Sequence, residues 1–179
     1  MPHLVDAISR TDDVTVAINH LIVERGVAGL SMRAIAGELR LGASTLYAHY
    51  GSREHMLRVA AHVTGKARLE FIRDRMHRDG ARALLPEDDE DVLTARAWLG
   101  WCELGRTHDW LAPTVEEIRA FERAELARRY DYRLARAALD TIVALVDGLL
   151  VAICRPERPM PPGAARELLD RQVAGMLAE

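Results

Sequence analysis

The segment 29–57 constrains this chain more than any other: Gly-Leu-Ser-Met-Arg-Ala-Ile-Ala-Gly-Glu-Leu-Arg-Leu-Gly-Ala-Ser-Thr-Leu-Tyr-Ala-His-Tyr-Gly-Ser-Arg-Glu-His-Met-Leu. Ser31 precedes a short run in which Ile35, Ala36 and Leu39 recur at helical spacing, and a hydroxyl there can cap the first turn. Residues 40–42 form a tight turn. A second short helix, 43–50, turns Leu46 and Tyr50 inward. Gly51-Ser52 then breaks the chain and recaps it for a third helix. Two short helices joined by so tight a turn make a helix-turn-helix, which presents its second helix to the major groove of DNA.

The rest of the chain reads as helix as well. Aromatics make up only 5% of its 179 residues. Ala, Leu and Arg are abundant, and no alternating Val/Ile/Thr run argues for strands. Thr11 and Asp12 can cap a first helix over 11–25, with Ala17, Ile18, Leu21 and Ile22 as its stripe and Gly26 as its stop. A long helix is expected over 53–78, with Met56, Leu57, Ala60, Val63, Ala67 and Phe71 at helical spacing. A scrap of helix over 81–85 lies between solvated connectors. Further helices are expected over 91–106, with Leu93, Ala97, Trp98, Trp101 and Leu104, and over 114–130, opened by a Thr114–Glu117 capping box. The last two are placed at 134–154 and 164–177, separated by a proline-rich stretch. The expected fold class is all-α, with about nine helices: a three-helix helix-turn-helix domain over 1–52 and a helical bundle over 53–179.

Charge is informative only locally. The formal net charge is −3, so the chain is not a generally basic nucleic-acid binder. Between residues 33 and 58, Arg33, Arg40, Arg53 and Arg58 face Glu38 and Glu54, a net of +2. Lys66 is the only lysine, so phosphate contacts must come from arginine, hydroxyls and backbone amides. Cys102 and Cys154 are too few and too isolated for a disulfide framework or a zinc site. No cofactor and no metal are implied. Residues 1–10 are polar and carry Asp6, so no signal peptide is expected, and no apolar run reaches membrane-spanning length. The expectation is a cytoplasmic protein without a membrane partner.

Helix 134–154 is apolar on more than one side, where a surface helix needs one stripe, so it is either central to its own domain or shared with a second subunit. Leu139, Ile142, Val146, Leu149 and Leu150 from it, with Leu169, Val173 and Met176 from the last helix, form a candidate homodimer interface.

The motifs Glu24-Arg25-Gly26, Leu30-Ser31-Met32-Arg33-Ala34-Ile35-Ala36, Thr45-Leu46-Tyr47-Ala48-His49-Tyr50 and Ser52-Arg53-Glu54 resemble, in order and spacing, the DNA-binding domain of the TetR family of transcriptional regulators. The stretches Ala83-Leu84-Leu85-Pro86, Arg96-Ala97-Trp98-Leu99-Gly100-Trp101 and Leu145-Val146-Asp147-Gly148-Leu149-Leu150 are similar, more loosely, to the carboxyl-terminal domain type of the choline-responsive BetI repressors. The resemblance implies a double-stranded DNA operator, a small-molecule effector of unknown identity and a homodimer. It implies DNA-binding roles for Ser31, Arg33, Ala43, Ser44, Thr45, Tyr47, Ala48, His49 and Arg53. It also makes 53–179 a ligand-binding and dimerisation domain, with a pocket wall drawn from His62, Phe71, Trp98, Trp101, Cys102, Trp110 and Phe121.

The tryptophans, with Glu103 or Glu117, suit a cationic ligand held by cation–π attraction, and a neutral, apolar effector suits the same wall. The chain departs from the family pattern at Gly42, Ala43 and Ala48, where relatives often carry capping or larger polar groups, and at Asn19, where relatives often carry an apolar residue. The implied function is a ligand-responsive regulator, a repressor by the family's commonest habit. The rival reading is a helical small-molecule-binding or interaction protein that has lost DNA binding. An enzyme is not expected: His62, Cys102, His108 and Asp109 carry no recognised catalytic signature.

Overall fold

The computed structural model describes residues 11–178. Among them are eight α-helices and no strand. They are α1 (Thr11–Arg25), α2 (Met32–Glu38), α3 (Ala43–Tyr50), α4 (Arg53–Asp79), α5 (Asp89–Thr107), α6 (Ala112–Arg129), α7 (Arg136–Ile153) and α8 (Pro162–Ala178). Short 3-10 turns occupy Val27–Gly29 and Gly80–Leu84, the latter where the scrap of helix was expected. The all-α reading holds, with eight helices in place of about nine.

Most boundaries follow the punctuation of the sequence. Gly26 ends α1 with φ of 66°, its N–H donating to Ile22 O at 2.9 Å. Ser31 Oγ accepts from Ala34 N–H at 3.1 Å and caps α2. Ser52 Oγ does the same for α4, accepting from His55 N–H at 3.1 Å. One expected start is corrected. Helix α6 begins at Ala112, so Thr114 lies inside its first turn and Thr114–Glu117 is not a capping box. Pro113 explains the difference, because a first turn has no use for the N–H that proline lacks. Pro162 opens α8 by the same logic.

The chain divides into two compact units: Met1–Ala67 with Gly100–Val115, termed the head, and Arg68–Leu99 with Glu116–Glu179, termed the body. In the head, Ile18, Leu21, Ile35, Leu46, Met56, Leu57, Trp101 and Leu111 are almost wholly buried. Gly100 allows α5 to approach α1 closely, since a Cβ at this position would collide with Ile22 Cγ2. The body core comprises Ile72, Leu85, Trp98, Leu126, Ile142, Leu150 and Leu169, with α7 packed on α8.

The buried line of α4 differs from the sequence expectation. Ala67 and Phe71 are exposed, and burial passes instead through Ala61, Gly65, Arg68, Ile72 and Met76. Leu93, expected inside, is exposed. Arginine burial displaces the apolar stripe: Arg68 and Arg75 are each only 8% exposed. Arg75 reaches three carboxylates of the body, Glu87 at 2.6 Å, Asp91 at 2.7 Å and Asp79 at 3.3 Å. Arginine hydrogen bonds, with Arg78 as the main donor, hold the Asp79 carboxyl below its ordinary range.

Candidate nucleic-acid interface

In the head, α2 and α3 are joined through the turn at residues 39–42. Arg40 N–H donates to Gly37 O at 3.1 Å and Leu41 N–H to Ala36 O at 2.7 Å. This paired pattern is a Schellman stop, whose left-handed position normally takes glycine. Here Arg40 occupies it, with φ of 56°. Gly42, two residues on, is extended (φ −78°, ψ 141°) and supplies no side-chain cap to α3. Gly51 closes α3 at φ 73°, its N–H donating to Tyr47 O at 2.8 Å.

The side chains of α3 sort cleanly. Leu46 and Tyr50 are buried and anchor it, and burial raises the Tyr50 phenol pKa. Ser44, Tyr47, Ala48 and His49 are exposed, while Ala43 and Thr45 are half-buried. The His49 ring stands edge-on to Tyr50 at 4.7 Å. On α2, Ser31 and Arg33 are exposed. At the start of α4, Arg53 Nη2 donates to Leu30 O at 3.4 Å, which anchors the guanidinium beside the loop that leads into α2. All nine residues expected to meet DNA therefore belong to the head, and each is exposed or half-buried. The cations flank α3 rather than occupy it.

Sequence reasoning flagged Asn19 as unusual without giving it work. Its Oδ1 accepts from Trp101 Nε1 at 2.7 Å, and its Nδ2 donates to Thr64 Oγ1 at 3.2 Å. One amide thus ties α1 to α4 and α5 within the head. A buried indole N–H needs an acceptor, and that need, with the tryptophan, is the signal that explains the asparagine.

The residues expected to line a ligand pocket divide between the units. His62, Trp101, Cys102 and Trp110 fall in the head, and Phe71, Trp98 and Phe121 in the body. In the head, His62 is exposed and Trp101 serves the Asn19 network. Trp110 meets His108 at 5.4 Å and Arg58 at 5.7 Å. Glu103 pairs with Arg106 at 2.8 Å on the surface.

In the body, Phe71 lies against Arg75 at 4.6 Å and Phe121 against Arg73 at 5.1 Å. Trp98 is 2% exposed, with the Arg68 guanidinium 4.7 Å and the Arg119 guanidinium 5.4 Å from its ring. Glu122, wholly buried, bridges the two arginines: Arg68 Nε donates to Oε1 at 2.9 Å and Arg119 Nη1 to Oε2 at 3.1 Å. Arg119 also meets Asp147 at 2.7 Å. Desolvation nonetheless raises the Asp147 pKa above the ordinary carboxylate value. The indole nitrogen of Trp98 has no hydrogen-bond partner among the described residues.

A body cleft of about 380 Å³ lies elsewhere, lined by Met76, His77, Glu125, Arg128, Arg129 and Asp131. None of these was singled out from the sequence. Polar side chains at helix ends carry no periodic signal.

Of the proposed interface residues, Ile142, Val146, Leu149, Leu150, Leu169 and Val173 are buried within the body itself, and Leu139 and Met176 are half-buried.

Residues 14–60 match the family model of bacterial regulatory proteins, tetR family. Through this segment the chain is similar to the TetR family. The matched span contains α2, α3 and most of α1. None of the curated proteins matches the chain in sequence. Among solved structures, a transcriptional regulator from Rhodococcus sp. Rha1 superposes with a TM-score of 0.83 at 18% identity, covering 94% of this chain and 96% of that one. A TetR transcription regulator from Haloarcula marismortui ATCC 43049 gives 0.78 at 14% identity, covering 94% and 98%. The multidrug binding protein EbrR, complexed with ethidium, gives 0.63 at 23% identity, covering 91% and 98%. These likenesses establish a shared fold along nearly the whole chain.

Proposed function

We propose that this chain is a ligand-responsive, DNA-binding transcriptional regulator of the cytoplasm, acting as a repressor that leaves its operator when a small molecule binds. The observation that carries the reading is the head: a family-matched helix-turn-helix whose third helix is anchored by Leu46 and Tyr50 and turns Ser44, Tyr47, Ala48 and His49 to solvent. On this reading Arg33 forks onto a guanine edge, and Ser31, Tyr47, His49 and Arg53 hold phosphates. On this reading residues 1–52 form the DNA-binding domain and 53–179 the sensing and pairing domain.

Two protomers pair through α7 and α8. Leu139 and Met176 contribute directly, and the six buried residues brace the helices from behind. Pairing of this kind sets the recognition helices about 34–36 Å apart, one turn of DNA, over a near-palindromic site. An effector preferring the non-binding state by roughly 1–3 kcal/mol weakens operator binding about 5- to 150-fold.

That EbrR is solved with ethidium supports a small-molecule guest for this fold. Trp98 is the wall residue best suited to meet one. Two of the chain's own guanidiniums already lie against its ring, so a cationic guest would have to displace them. A neutral guest carrying a hydrogen-bond acceptor would instead satisfy the free indole N–H.

The test is a gel shift with the DNA flanking the gene, using wild type, Arg33→Ala and Tyr47→Phe. Retarded wild-type complexes that weaken in both variants are expected. Absence of any complex, or binding indifferent to both substitutions, refutes the assignment.

A further inference from the structure

Resting on the DNA-binding reading above, we infer that Ala48 reads a thymine methyl group, so that each half-site recognised by this chain carries a thymine beneath this residue. At roughly 100° of turn per residue, Ala48 stands about 180° round α3 from the midpoint between Leu46 and Tyr50. Those two residues are buried and Ala48 is exposed, so Ala48 forms the apex of the presented face. Ser44 and Thr45 flank it, and Tyr47 and His49 lie further round on either side.

A methyl group at the apex neither donates nor accepts a hydrogen bond. Opposite guanine, adenine or cytosine it would strip water from base-edge polar groups and leave them unpaired. Thymine alone offers the major groove an apolar group, its C5 methyl. The arginines of this region, Arg33 on α2, Arg40 in the turn, and Arg53 and Arg58 on α4, all lie off α3, so the apex discriminates by methyl contact rather than by charge.

The experiment uses the full chain. A duplex is first selected from a random library, then remade with each thymine in turn replaced by deoxyuridine, which removes only the C5 methyl. One replacement per half-site is expected to weaken binding about fourfold, the worth of one buried methyl-sized contact. Ala48→Gly and Ala48→Ser are expected to bind less tightly but to bring the thymine-to-uracil affinity ratio at that position close to one. The ratio is internal to each variant, so general destabilisation does not mimic the effect. A selected duplex with no methyl-sensitive position, or Ala48 variants that keep the wild-type ratio, overturns the inference while leaving DNA binding intact. Failure of every duplex to bind overturns the DNA-binding reading and this inference with it.

Discussion

The two units solve the same packing problem with different chemistry. The head buries aliphatic, sulfur and aromatic side chains, with one shared amide, Asn19, among them, and keeps its arginines at or near the surface. The body buries arginines outright. Arg68, Arg75, Arg119 and Arg166 are each no more than 9% exposed, and Glu122 and Glu125 are buried with them. An apolar core tolerates small adjustments of volume. A buried ion cluster tolerates little, because each charge has given up its water and depends on its partner. The head is therefore the unit that absorbs small changes, and the body is the unit in which a single altered contact has large consequences.

The sharpest way to break this comparison is at Glu122, which neutralises Arg68 and Arg119 together. Glu122→Ala leaves two guanidiniums buried beside Trp98 and is expected to cost about 3–5 kcal/mol, read from urea unfolding. The paired change Arg68→Met with Glu122→Leu removes a charge of each sign and leaves Arg119 with Asp147. It is expected to recover most of that loss. If Glu122→Ala proves as mild as a surface substitution, the contrast between the units is wrong.

The corresponding experiment in the head is smaller. Asn19→Ala leaves Trp101 Nε1 buried without its acceptor, and the expected cost is about 1–3 kcal/mol. Tryptophan fluorescence during unfolding reports the site directly. An Asn19→Leu variant that restores stability would show the amide to be dispensable packing rather than a needed acceptor.

How much of this was legible beforehand differs along the same divide. The helix-turn-helix was legible because its punctuation is local: a capping serine, a glycine stop and a recapping serine sit beside apolar residues at helical spacing. The nine residues expected to meet DNA follow from that register. The body was harder to read because its decisive contacts are distant in sequence and made by charged residues. Periodicity scores Arg68 as surface, yet it pairs with Glu122, 54 positions away. Trp98 and Trp101 look like one wall by their spacing, yet the first is held among arginines in the body and the second spends its indole N–H on Asn19 in the head. The tendency of α7 toward apolar residues on several sides was visible. Most of that surface is consumed by the body's own core, which amphipathicity alone does not reveal.

The turn between α2 and α3 offers the smallest test and the most local one. Its sequence, Leu39-Arg40-Leu41-Gly42, suggests that glycine supplies the special backbone conformation. The structure gives that conformation to Arg40 and leaves Gly42 in an ordinary extended one. A non-glycine residue in the left-handed region costs roughly 1 kcal/mol or more, so Arg40→Gly is expected to stabilise the head by about 1 kcal/mol. At Gly42, a Cβ would meet Ser44 Oγ at 3.5 Å and Thr45 Oγ1 at 3.6 Å, ordinary contact. Gly42→Ser should therefore fit and should add a cap worth only a few tenths of a kcal/mol. Chemical denaturation of the two variants side by side distinguishes the positions. The reverse order, with Gly42→Ser the larger gain and Arg40→Gly neutral, would mean that the turn is closed through Gly42, and the register that places Ala48 outermost on α3 would have to be redrawn.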